Sequence, residues 1–165
     1  MSQLKPLSQA AIPGALARVE RYRLLGEPGE AESICLDILA VEPGNREALI
    51  GLILALTDQF AGELSLVDRA TEIWSELVDP YERAYYGGII CERKAKALLK
   101  QSTIGSTRAA VLALKEALAC YQRAEPLRPT GNDDAILRWN ACVRLLERYP
   151  VEVPEEDSWQ TQMLE

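Results

Sequence analysis

The residues that could do chemistry here are few: four cysteines, scattered carboxylates and no histidine. Without an imidazole the chain lacks the commonest general base, any Ser-His or Cys-His couple, and the usual ligand of zinc and haem sites. What remains for proton transfer is Glu92 with Arg93 and Glu82, all on one predicted helix. No nucleophile, oxyanion donor or metal set accompanies them, and charges along an alanine-rich helix ordinarily form a solvated face. A carboxylate-based enzyme is therefore the remotest reading, and the expectation is a non-enzyme with no cofactor and no metal site. Cys35, Cys91, Cys120 and Cys142 are widely spaced, contain no C-x-x-C pair and fall in apolar helical patterns. That pattern predicts buried free thiols. A phosphate-cradling G-x-x-x-x-G-K-[ST] is absent, so nucleotide hydrolysis by that route is excluded. Asn140 lies one turn before Arg144. Its amide could hold a ligand's backbone or be buried against a neighbouring helix end.

The elements that must position these residues are helices. No useful stretch alternates with period two, and the helical period recurs almost everywhere. Ala15, Leu16, Val19, Tyr22 and Leu25 mark a first helix stopped by Gly26. A second starts at Pro28 and ends at Pro43-Gly44; Asn45 caps a third from Arg46 to about Asp58. The fourth runs from about Glu63 through Leu77 and closes at Asp79-Pro80. The fifth spans Tyr81 to about Gln101 despite Gly87-Gly88, which imply either the close approach of another element or a kink. Ser106 caps a sixth reaching about Glu125, Pro126 and Pro129 break it, and Asn132 caps a seventh ending at Tyr149-Pro150. On this last helix Asp134 and Arg138 read as an i,i+4 ion pair, and Trp139, Val143 and Leu146 as a capping stripe.

The 165 residues, 48% hydrophobic and 26% charged, are enough for one self-sufficient core. Of the net charge of −7, five units belong to residues Val151–Glu165, which carry five acids and no base. The reading is a helical body over 1–150 and an acidic, disordered tail over 151–165. Trp159, Met163 and Leu164 give that tail the composition of a segment that docks in a groove, its own or a neighbour's; an untethered solubilising tail is the plainer alternative. Nucleic acid is a poor partner for such a chain. The N-terminus lacks a signal-peptide core, and the apolar run Ala48–Leu56 is far too short to span a bilayer. The expected location is cytoplasmic, with no membrane association.

The string Gly26-Glu27-Pro28-Gly29-Glu30-Ala31, followed by Cys35, Leu39 and Pro43-Gly44-Asn45, resembles the second half of a tetratricopeptide repeat. Glu116-Ala117, Tyr121, Ala124 and Pro129 before Gly131-Asn132 form a second instance. From Pro43 to Pro80 is 37 residues, near the roughly 34 of that repeat. From Pro80 to Pro129 is 49, so the third pair is expanded. The middle repeat is degenerate, with Phe60-Ala61-Gly62 at the turn. The resemblance covers about Pro13 to Tyr149 and implies an all-α fold of about seven helices, antiparallel pairs stacked as a short right-handed solenoid. A generic helical bundle is the competing reading.

In that family the first helix of each pair lines a concave groove for an extended or helical peptide. Carried over by position, the groove would present Leu16, Glu20, Arg23, Ile50, Leu54, Asp58, Tyr85, Ile89, Glu92 and Arg93, joined by Asn140 and Arg144 from the last helix. Leu16, Ile50, Leu54 and Ile89 read equally well as packed core. The lysines and asparagines of the carboxylate-gripping version are missing, which argues against an acidic chaperone C-terminus as ligand. The resemblance thus implies a non-catalytic interaction module, an adaptor or assembly factor with a protein or peptide partner. A homo-oligomerising structural protein is the runner-up.

Overall fold

The computed structural model describes residues 3–150; the acidic tail lies outside the described residues. Seven α-helices follow one another: α1 (Ile12–Leu24), α2 (Pro28–Val41), α3 (Arg46–Gln59), α4 (Leu66–Ser75), α5 (Pro80–Lys100), α6 (Ile104–Ala124) and α7 (Asp134–Leu146). A 3-10 turn, Gln9–Ala11, leads into α1, and another, Glu125–Leu127, ends α6. No strand occurs among the described residues, and none of their helices is long and apolar enough to cross a membrane.

The punctuation acts through identifiable hydrogen bonds. Gly26, at φ +75°, lets its own N–H reach Arg23 O (3.0 Å) and the Glu27 N–H reach Tyr22 O (2.9 Å), which closes α1. Asn45 caps α3 by accepting the Ala48 N–H at 2.9 Å. Asp79 does the same for Glu82 N–H at 2.9 Å, with Pro80 as the first residue of α5. Three boundaries differ from expectation. α4 starts at Leu66, because buried Phe60 ends α3 and residues 60–65 pass through successive turns before the helix can begin. Thr103, not Ser106, caps α6: the two hydroxyls bond each other's backbone N–H at 3.1 Å, and Ser106 is the inner half of that reciprocal pair. Asn132 starts α7 from one position further out, its Oδ1 accepting the Asp134 N–H at 2.9 Å, and the helix stops at Leu146.

Each helix packs on the next, and α3 also touches both α1 and α5. Two clusters form the interior. One joins α1 to α4 and one side of α5 through Val19, Ile38, Leu52, Ile53, Leu56, Phe60, Ala70 and Ile90. The other joins α5, α6 and α7 through Ala95, Ala110, Ala113, Leu114, Ala117, Tyr121 and Cys142. α5 continues through Gly87-Gly88 as one helix, so the close-approach reading holds, with rings as the approaching groups. A Cβ on Gly87 would lie 3.3 Å from Trp74 Nε1, and one on Gly88 would lie 2.4 Å from Tyr121 Cε1.

Candidate functional site

The face made by α1, α3 and α5 carries linked hollows. A central one of about 340 Å³ is walled by Leu16, Glu20, Arg23, Ile50, Leu54 and Tyr86, with Arg46 at one end. Glu20 and Arg23 also border a second, about 500 Å³, which adds Leu24, Pro28, Asp58 and Arg93. Arg46 and Tyr86 border a third, about 370 Å³, which adds Tyr81, Tyr85 and Asp134. The central hollow mixes apolar Leu16, Ile50 and Leu54 with charged Glu20, Arg23 and Arg46, and the two flanking hollows are more polar.

One carboxylate joins the three helices at this face. Asp58 on α3 accepts from Arg23 Nε of α1 at 2.8 Å and faces Arg93 Nη1 of α5 at 3.3 Å. The Nε of Arg93 is buried without a partner. At the other end Arg46 pairs with buried Glu82, and Tyr81 stacks on Tyr85 with centroids 5.6 Å apart. Burial foremost raises the Tyr86 hydroxyl to about 12, and burial raises Tyr85 against the opposing hydrogen bond and charge of Arg138.

Of the residues expected in the groove, Glu20, Arg23, Ile50, Leu54, Asp58 and Arg93 come together, and Tyr85 stands in the aromatic end. Two do not line it. Ile89 and Glu92 are each 1% exposed, because the third helix pair is followed by α7 and α5 is covered on more than one side. Asn140 and Arg144 are exposed on α7 and border none of the three hollows, so Asn140 is not the buried amide of the alternative reading. Arg46, Tyr81 and Tyr86 were not anticipated. Their signal was present in the i,i+4 tyrosine pair and in Arg46, which opens α3 as Pro80 opens α5.

Glu92 instead centres a polar cluster at the α5–α6–α7 junction. It accepts from the Tyr121 hydroxyl at 2.7 Å, from Lys96 one turn on, and from Arg138 Nη1 at 3.2 Å. Burial opposes its ionisation, but the hydrogen bonds from Lys96 and Tyr121 and the charges of Lys96 and Arg138 prevail, holding the carboxyl below its ordinary range. Arg138 therefore spans to α5 rather than closing the expected local pair with Asp134. Glu82, Glu92 and Arg93, the acid–base set, do not meet: they face Arg46, Tyr121 with Arg138, and Asp58 respectively. No group of three or more Cys, Asp and Glu among the described residues is placed to hold a metal ion. The four cysteines are free, but only Cys35 and Cys142 are buried; Cys91 and Cys120 are half-buried.

Comparison with family models, with curated proteins and with solved structures finds no match for this chain.

Proposed function

We propose that this protein is a non-catalytic interaction module of tetratricopeptide type, its antiparallel helix pairs stacked as a short right-handed solenoid, and that it binds an extended or helical peptide along α1, α3 and α5. The observation that carries the reading is the contact between alternate helices: α3 touches both α1 and α5 while each helix also packs on its successor. Stacked pairs produce that order of neighbours. The linked hollows on this shared face, with apolar Leu16, Ile50 and Leu54 beside charged Glu20, Arg23 and Arg46, support a peptide as the ligand. The reading places the chain in the cytoplasm, where thiols such as these four stay reduced.

The test is selection from a displayed random-peptide library, run in parallel on the wild type and on a Glu20→Arg/Leu54→Lys variant whose helicity and unfolding midpoint are checked first. The wild type is expected to enrich a motif that the folded variant binds about tenfold or more weakly. Equal binding by both would remove the groove from the function. Sedimentation of the unliganded chain distinguishes the structural alternative: a mass that doubles with concentration, and is lost in the variant, would assign this face to self-association.

A further inference from the structure

The α5–α6 interface holds a second feature that the groove does not use. The two helices are antiparallel neighbours joined by a short turn, and small residues line their contact. Gly88 lies under the Tyr121 ring, while Ala95 shares a core with Ala110, Ala113 and Ala117. Cys91 is one turn beyond Gly88 in the direction of Ala95. In this register it stands level with the turn of α6 just before Tyr121, which contains Ala117 and Cys120. The side chains agree. The Cys91 thiol reaches Glu116 Oε2 at 3.9 Å, and Glu116 and Cys120 share one stripe of α6 at i,i+4. From the same helix Arg123 Nη2 donates to Cys120 Sγ at 3.2 Å. Glu116, which takes the Cys91 thiol, is one turn from Cys120 on that stripe, so both thiols face the same α5–α6 seam.

We propose that Cys91 and Cys120 form an oxidisable dithiol, a site of reversible disulfide modification by hydroperoxides, in which Cys120 is the sulfur that meets the peroxide and Cys91 the thiol that resolves it. The neighbours divide these roles. The neighbouring Cys91 thiol and Arg123, which donates to Cys120 Sγ, favour the Cys120 thiolate against the opposing effect of burial. Cys91 donates toward Glu116, and the neighbouring Cys120 thiol, burial and the Glu116 charge keep it protonated. Cys35 and Cys142, 0% and 1% exposed, have thiols raised to about 12, chiefly by burial, and lie outside the reaction.

The chemistry balances without a metal. The Cys120 thiolate attacks the terminal oxygen of ROOH; the O–O bond breaks, and the departing alkoxide takes a proton to leave as ROH. Sulfur is oxidised by two electrons to the sulfenic acid. The Cys91 sulfur, losing its proton, then attacks the sulfenic sulfur, the S–O bond breaks and water leaves. In sum, two thiols and ROOH give one disulfide, ROH and water. A dithiol reductant reverses the bond by exchange.

The test uses the full chain treated with hydrogen peroxide, alkylated, and mapped by mass spectrometry without reduction. The expected product is a monomer lighter by about 2 Da, containing one cross-linked peptide pair, Cys91 with Cys120, and restored by dithiothreitol. Cys91→Ser is expected to stop at a sulfenic acid on Cys120 that dimedone traps. Cys120→Ser is expected to lose the cross-link and to consume peroxide about tenfold more slowly. Circular dichroism checks that both serine variants keep the wild-type fold. The proposal is overturned by a disulfide between any other pair or between chains, or by dimedone trapped at Cys91 in preference to Cys120. It is equally overturned if peroxide leaves all four thiols free while glutathione in the same tube is oxidised. None of these outcomes depends on peptide binding.

Discussion

Beneath α1–α4 the deepest side chains are Ile38, Leu52, Ile53, Leu56 and Phe60, none more than 2% exposed and none polar. Between α5, α6 and α7 the same depth holds alanines, Tyr121 and the ionised Glu92. The first region excludes water with branched aliphatic volume, a force without direction. In the second, Gly88 and the alanines bring two long helices close, and a tyrosine hydrogen-bonded to a carboxylate fills the junction. A charge at that depth must be met by donors at defined positions, and here they come from α5 itself, α6 and α7. Aliphatic packing therefore stabilises the front of the molecule, whereas the polar junction at the back also specifies where α7 sits.

The largest effect that could break this contrast is the loss of the buried charge. Glu92→Ala leaves the Tyr121 hydroxyl buried without its acceptor and Arg138 facing Lys96, and is expected to cost about 3–5 kcal/mol at neutral pH. Leu52→Ala in the first region is expected to cost about 2–5 kcal/mol. Their pH dependence separates them. The folded Glu92 carboxyl lies below its unfolded value of 4.5, so its stabilisation is fully present above that pH and is lost as the pH falls through the folded value. Urea unfolding of both variants across the carboxylate range should show the Glu92→Ala deficit shrinking in acid while the Leu52→Ala deficit persists. Parallel behaviour of the two would mean that the junction is held by packing alone.

A smaller effect tests how rigid each region is. A Cβ on Gly88 would lie 2.4 Å from a Tyr121 ring carbon, and that ring is tethered by its bond to Glu92. A Cβ on Gly51 would lie 3.1 Å from both Cys35 Sγ and Val19 Cγ1, untethered side-chain atoms that can yield a few tenths of an ångström. Both substitutions recover roughly 1 kcal/mol of helix propensity. Gly88→Ala should still lower stability by about 1–2 kcal/mol, while Gly51→Ala stays within about 0.5 kcal/mol of wild type. Thermal melts of the pair would show it, and equal costs would make the two interiors equally yielding.

The helices were legible because their boundaries are local. Gly26, Asn45 and Asp79-Pro80 act within one turn of where they stand. Thr103 and Ser106 misled because two hydroxyls three residues apart bond reciprocally, and either can be read as the cap. Arg23, Asp58 and Arg93 were legible as neighbours because they stand at matching places on α1, α3 and α5. Ile89 and Glu92 satisfy the same spacing, but the packing of α6 and α7 on α5 decides that they face inward. Arg138 had a local partner in Asp134, one turn away, yet pairs with Glu92, 46 residues away. Cys91 and Cys120, 29 apart in sequence, come to one α5–α6 seam for a related reason. Antiparallel register, not spacing along one helix, makes them neighbours.

A loss no larger than that of Gly88→Ala is expected at the α1–α3–α5 face, and salt is the means of reading it. Asp58 joins α1, α3 and α5, but its side chain is 19% exposed and those of Arg23 and Arg93 are 23% and 33% exposed. Water and ions reach this triad, so its net contribution is small. Asp58→Asn removes the charge, keeps the shape and leaves two guanidinium groups near each other; it should cost about 1 kcal/mol in dilute buffer. Most of that should disappear near 1 M salt, where the screening length is about 3 Å. The Glu92→Ala deficit, behind α6 and α7, should hardly change in the same series. A salt-insensitive Asp58→Asn deficit as large as that of Glu92→Ala would make the triad a structural clamp like the junction. Its arginines would then be committed to holding helices together rather than to meeting a peptide.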